Sequence, residues 1–356
     1  MAPFLERGRL AAKLWTIVAG SIVAVSTAGI ALQPGPEPPA SETRAVAFLV
    51  REVPRWRREH PCYSCHNNGD AARALIAAEQ RGFALDGAMD DTLSWLEHPE
   101  LWDATPSGAG VDDKPLARIQ FAGALTSAVR TRRASAAALR SAAAMVARDQ
   151  QPDGSWRLDS SRSVGSPATY GTALATWFAR RTLLAAGVSD HEPTLARADR
   201  WIREVAAQNV LDSAAVVLAL AGAPDEQARV QRRRALDLIE TSQASNGGWG
   251  LYATSAPEPF DTAVVMLALS TLEQNDNRQR SIDGARKFLL ARQLSDGSWP
   301  ETTRPAGQES YAQRISTAGW ATLALLSSGS EFGSPNRVAP QVPAIALAPR
   351  PPETAR

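Results

Sequence analysis

"QQPDGSW" at 150–156, "QASNGGW" at 243–249 and "QLSDGSW" at 293–299 decide how this chain folds. The three align without gaps as Gln, three residues, Gly, one residue, Trp, which sets Gln150, Gly154 and Trp156 against Gln243, Gly247, Trp249 and Gln293, Gly297, Trp299. Upstream the match continues. Met145-Val146, Leu238-Ile239 and Phe288-Leu289 stand at the same distance before their Gln, so each Gln closes a helix with one apolar stripe. Asp153-Gly154, Asn246-Gly247 and Asp296-Gly297 are turn pairs in which Gly takes a positive φ. Trp201-Ile202 holds the same place in a unit that lacks the loop, and Trp95-Leu96, before "EHPELW", reads as an earlier degenerate copy.

Between these segments lie helices that are apolar nearly all round. "DAARALIAAEQRG" starts at Asp70, "PLARIQFAGALTSAVR" at Pro115 and "TYGTALATWFARRTLLAAG" at Thr169. "DSAAVVLALAG" starts at Asp212, "DTAVVMLALS" at Asp261 and "STAGWATLALLS" at Ser316. Helices of this kind are buried. Asp212, Asp261 and Ser316 stand where a side-chain oxygen caps the first turn. Buried and one-sided helices alternating every 40–50 residues or so are stacked helical pairs, and β signals are nearly absent.

This pattern resembles the QW repeat of the terpenoid cyclase and protein prenyltransferase superfamily. The resemblance covers residues 70–328 and implies an all-α fold, an α/α toroid of about six inner and five outer helices. It also implies that the Gln amide bonds helix-end backbone and that the Trp ring packs over it. In the cyclases that protonate squalene, a DxDD motif ahead of Thr-Ala supplies the acid. Here "EPFDTA" keeps Glu258 and Asp261 but has Phe260 at the acid position, and "NVLDSA" has Leu211. The zinc ligands of the prenyltransferases are missing too, since no Cys lies beyond Cys65, and no DDxxD is present. No catalytic residue is therefore assigned. Tyr170, Trp177, Phe260, Met266 and Trp320 lie on or beside inner helices. They either pack the centre or line a cavity for a lipid or isoprenoid ligand.

Ahead of the repeats, "EHPCYSCHNNGD" at 59–70 holds both cysteines of the chain. Cys62, Cys65 and His66 fit the C-x-x-C-H pattern of haem c attachment, with His66 as axial ligand. On a helix the thiols and the imidazole would share one face. Met89 and His98 are the candidates for a sixth ligand. A Cys62–Cys65 disulfide and a zinc site using His60 and His66 are the competing readings. Upstream, "SETRAVAFLVREVPRW" has helical apolar spacing with Ser41 as its cap, so 43–69 reads as a helix followed by the motif. "NNGD" reads as the turn and cap of the first inner helix.

The ends place the chain. Residues 1–13 are basic, and 14–32 carry no charge, long enough for a membrane anchor of about 20 residues or for a signal peptide. Either keeps the basic end in the cytoplasm and puts the toroid outside it, in the periplasm, at the cell surface or secreted. Residues 33–42 form a Pro-rich linker, and 329–356 a Pro/Ala-rich tail without periodicity, read as disordered. A net charge of +1 leaves no field for nucleic acid, and Arg232-Arg233-Arg234 reads as a solvated helix face. The functional expectation is a haem-bearing redox or interaction module with a redox partner. The alternatives are a cyclase-like enzyme on a membrane isoprenoid and a disulfide-bonded structural toroid.

Overall fold

The computed structural model describes residues 40–60, 62–104, 113–158, 166–187, 189–304 and 309–328. The expectations for 1–13, 14–32, most of the linker and 329–356 lie outside these residues. Among the described residues every regular element is helical, and no helix is long and apolar enough to cross a membrane.

In chain order the helices are α1 (Ala40–Glu59), a π-helical stretch (Cys65–Ala71) running into α2 (Ala72–Glu79), α3 (Asp90–Leu96), α4 (Lys114–Arg130), α5 (Ala136–Arg148) and α6 (Ser166–Ala186). There follow α7 (Glu192–Glu204), α8 (Val210–Leu220), α9 (Glu226–Thr241), α10 (Pro259–Ser270), α11 (Asp276–Arg292) and α12 (Tyr311–Ser328). The π stretch with α2, and then α4, α6, α8, α10 and α12, form the inner ring. Each packs on the next, and α12 packs back on the π stretch and α2. α8 and α10 bury nearly every residue, whereas α9 buries only a stripe including Ala228, Ala235, Leu236 and Ile239. That contrast sorts inner from outer.

The loop motif seals the seams between outer helices. Trp156, Trp249 and Trp299 are buried, and their Nε1 atoms donate to the carbonyls of Val146, Ile239 and Leu289 at 2.7, 2.8 and 2.7 Å. Each Gln amide donates twice: once to the Gly carbonyl of its own loop, and once to the next outer helix. The second acceptors are Thr194 O (2.9 Å), Ser281 O (3.0 Å) and Ser41 O (3.0 Å). Gly154, Gly247 and Gly297 have φ of +97°, +87° and +93°, and a Cβ there would collide with the carbonyls of Arg197, Gly284 and Arg44. Glycine is required at these points for both backbone conformation and closeness.

The last of these contacts corrects the expected count of outer helices. The helix that follows Gln293 around the ring is α1, so the first helix of the described chain closes against the last motif as a sixth outer member, with short α3 among the six. Ser41 does not cap its helix. It lies in the first turn of α1, where Oγ donates to Gln293 Oε1 at 2.8 Å. The other expected caps also shift. Asn209 caps α8, with its side chain accepting from Asp212 N, while Asp261 and Ser316 lie inside α10 and α12. The free carboxylate and hydroxyl are thereby turned to tertiary partners.

Candidate functional site

The C-x-x-C-H segment enters the ring at the N-terminal ends of the inner helices. It is not one helical face. Cys62 precedes the helix, Ser64 caps the π stretch by accepting from Asn67 N, and Cys65 is its first residue. "NNGD" is accordingly neither turn nor cap but lies within the π stretch. The segment is pinned on both sides: Tyr63 stacks on Trp95 at 4.2 Å, Asn67 Nδ2 donates to Val53 O at 3.0 Å, and Asn68 Nδ2 donates to Thr92 Oγ1 at 2.9 Å. Both cysteines are free and half-buried, and Cys65 Sγ lies 3.4 Å from His66 Nδ1. Protein packed around Cys65 disfavours its charged form and pushes the thiol up to about 12, while burial lowers His66 to about 4, leaving a neutral imidazole at pH 7.

His66 faces inward. With Tyr170, Phe260, Gln313 and Ser316 it lines a cavity of about 10 Å³, room for roughly one water molecule. Behind this cavity the ring is filled by its own side chains. The Arg73 guanidinium lies 4.4 Å from the Phe178 ring centroid and 4.5 Å from that of Trp320, a cation held between two aromatic faces. Tyr170, Phe260 and Trp320 pack on one another beside it, with centroids 5.7–6.4 Å apart. Asp70 ties the plug together from four inner elements. It accepts from Ser316 Oγ (2.6 Å), Gln120 Nε2 (2.8 Å) and Tyr170 OH (3.0 Å), with Arg73 NH1 at 3.4 Å. Its burial is complete, so desolvation raises its pKa although every partner favours the anion.

A second acidic group stands at the same end. Asp261 is fully buried, and Arg304 donates to both its oxygens at 2.6 and 2.9 Å while also reaching Glu258 at 3.1 Å. Desolvation pushes Asp261 up to about 6 against the pull of Arg304. A bidentate guanidinium thus occupies the oxygens that a free acid would offer to a substrate.

The site brings together only part of the expected set. Tyr170 and Phe260 line the small cavity. Trp320 and Met266 are fully buried packing, and Trp177 is half-buried with its ring edge-on to Phe178 of the plug at 4.5 Å. Met89 is buried and His98 is exposed, paired with Glu100 at 3.0 Å; neither lines the space His66 faces. His60 is exposed and stacks on Trp56, and no three metal-binding side chains converge among the described residues. A haem held by His66 would need a porphyrin-sized space where the cavity admits one water, so the arrangement as it stands does not seat the group. Sequence reasoning missed Asp70, Arg73, Gln120 and Arg304. The available signal was an Asp and an Arg inside helices too apolar to face water.

A closed ring of helical pairs with Gln-Trp loops and a central plug is an α/α toroid. Residues 207–334 match the family model of the squalene-hopene cyclase C-terminal domain. Among solved structures, the chain is similar to a variant of the type II terpene cyclase MstE from Scytonema in complex with geranylgeranyl dihydroxybenzoate, its substrate. The identity is 15%, over 81% of this chain and 96% of that one, with a TM-score of 0.51. A possible member of the GH105 family from Klebsiella pneumoniae subsp. pneumoniae is similar at 10% identity, over 87% and 98% of the two chains, with a TM-score of 0.52. At these identities the likeness is one of fold. A comparison with curated protein sequences gives no match.

Proposed function

We propose that this protein is a cyclase-like toroid that does not cyclise polyenes, and that it acts outside the cytoplasm as an interaction or redox module held by residues 14–32. The observation that supports this is the filled ring centre. Ligand sites for drug-sized molecules span about 300–1,000 Å³, whereas the cavity before the plug is about 10 Å³. The Arg304 clamp on Asp261 supports the same reading, because it removes the remaining acid of "EPFDTA" from service. The test is incubation of the purified protein with squalene and with a geranylgeranyl-bearing aromatic acid, followed by mass-spectrometric product analysis. Unchanged substrate is expected, and any cyclised product overturns the reading.

Covalent haem at Cys62 and Cys65 is the second reading, favoured by two free thiols on one pinned segment, of which Cys65 lies 3.4 Å from the His66 imidazole. It carries a structural condition: His66 must leave the cavity wall. Haem would supply one-electron chemistry, and Tyr63, Asn67 and Asn68 would hold the attachment segment in place. Export in cells carrying a c-type maturation system, followed by haem staining of the denatured band, tests it. Stain that disappears in a Cys62→Ala, Cys65→Ala variant supports attachment; exported wild type without stain overturns it.

A further inference from the structure

Three seams between outer helices are closed by a glycine turn, and a fourth, between α7 and α9, keeps the receptor for such a turn without the turn. The register of the receiving helices fixes the equivalence. Thr194, Ser281 and Ser41 accept the Gln amide of the preceding loop. Gln231 stands in their place on α9, because the buried residues Ile202, Leu289, Leu49 and Ile239 each lie eight positions further on. Three positions beyond each acceptor is the residue whose carbonyl meets the loop glycine: Arg197, Gly284 and Arg44 at the closed seams. The same position on α9 is Arg234.

Arg197 and Arg44 also grip the turn by its Gln. Arg197 donates to Gln150 Oε1 from Nε at 3.0 Å and from Nη2 at 2.6 Å, and Arg44 donates to Gln293 Oε1 at 2.7 Å. Arg234 has no such oxygen to hold. It is exposed, and among the described residues it has neither hydrogen bond nor ion pair. Beside it lies a groove of about 370 Å³ walled by Arg203, Glu204, Gln227, Val230 and Gln231. Its walls are the end of one outer helix and the receiving positions of the next, which is where the turn sits at the closed seams. Arg203 is committed to Asp225 at 2.9 Å, and Gln231 to the carbonyls of Val205 and Ile202. Arg234 is therefore the group left to meet an occupant, with the exposed Val230 as an apolar contact. A guanidinium answers an amide or a carboxylate oxygen. The three Gln-Gly turns of this chain are spent in their own seams, so the occupant comes from another molecule.

We infer that the α7–α9 groove docks a partner protein through a glycine turn, with Arg234 holding an amide or carboxylate oxygen of that turn and its glycine lying on the Arg234 carbonyl. The groove shares no residue with the plug or the cysteine segment, so the outcome is independent of whether the chain carries haem or cyclises polyenes. The test uses the chain's own turn in trans: a head-to-tail cyclised peptide containing Gln-Leu-Ser-Asp-Gly-Ser, the sequence of 293–298, titrated into the full chain by calorimetry. Saturable binding is expected below about 1 mM. A peptide with Ala for its Gln should bind about tenfold more weakly, the scale of one hydrogen bond to a charged group. A peptide with Val for its Gly should not bind, because a side chain there meets the helix backbone. Arg234→Ala should weaken the parent peptide by about tenfold as well. Since Arg234 is exposed and unpartnered, the ligand-free Tm of that variant should be unchanged. Absence of saturable binding, equal binding of either altered peptide, or full binding by Arg234→Ala overturns the inference. So does self-association of the chain that Arg234→Ala abolishes and the peptide does not compete, since the groove would then seat a second copy.

Discussion

Two seams of the ring solve one problem differently. Between α11 and α1, a loop contributes the buried Trp299, the tight Gly297 and the double donor Gln293. Between α7 and α9 there is no such loop, and Gln231 does the work from the opposite helix, donating to Val205 O at 2.6 Å and Ile202 O at 3.3 Å. Gln231 stands as far beyond its cap Asp225 as the acceptor Ser281 stands beyond its cap Asn275. The helix that elsewhere receives the amide here supplies it. What remains open is a groove of about 370 Å³ edged by Arg203, Gln227, Val230 and Arg234. The loop is thus a clamp added to the fold rather than a condition for it.

The comparison breaks most sharply at the aromatic anchor. Trp299→Ala should cost about 3–5 kcal/mol in urea unfolding, whereas Val230→Ala in the open groove should stay within about 0.5 kcal/mol. The centre of the ring should behave like the loop-sealed seam. Asp70→Ala strands Arg73 in the plug and should also cost about 3–5 kcal/mol, with Asp70→Asn costing visibly less.

The acidic clamp gives a pH signature. Asp261 has its folded pKa raised from 3.8 to about 6, so the folded protein holds that proton more tightly than the unfolded chain. Its contribution therefore favours folding at low pH and is lost as pH rises from about 4 to about 6, a change of about 3 kcal/mol. Arg304 and Glu258 are the charges facing it. Unfolding curves of Asp261→Asn should lack that slope, and an unchanged slope would assign it to another group.

Smaller effects sharpen the seam comparison. Gly297→Ala should cost about 1–3 kcal/mol through its positive φ, with the Arg44 carbonyl in the way. Gly222→Ala, in open space beside the loopless unit, should be near neutral. Gln231→Ala should cost about 1 kcal/mol, and proteolysis of that variant should begin at the α7–α9 seam.

The repeats were legible because a loop that must turn, approach a backbone and bury an indole leaves three fixed letters. The closing role of α1 was not, since its partner Gln293 is separated from Ser41 by |i−j| = 252 and α1 carries no such letters. The plug was hidden for the same reason. Asp70 finds Gln120, Tyr170 and Ser316 at separations of 50, 100 and 246 residues, and no local spacing encodes such a meeting. Phe260 and Leu211 stand where the resemblance leads one to expect an acid, but Arg304 on Asp261 was invisible because "ETTR" has no pattern. The cysteine motif was read as a helical face, and the Ser64 cap moved the helix start past Cys62.

The contact between Gln293 and Ser41 also orders events during synthesis. α1 emerges from the ribosome early, yet its groove on α12 and its partner in the last loop are made late. Until then the growing chain is an open arc with an unmatched apolar edge at each end. Such edges are where nascent proteins associate wrongly, so the period before α12 appears is when this chain most needs a chaperone's shelter.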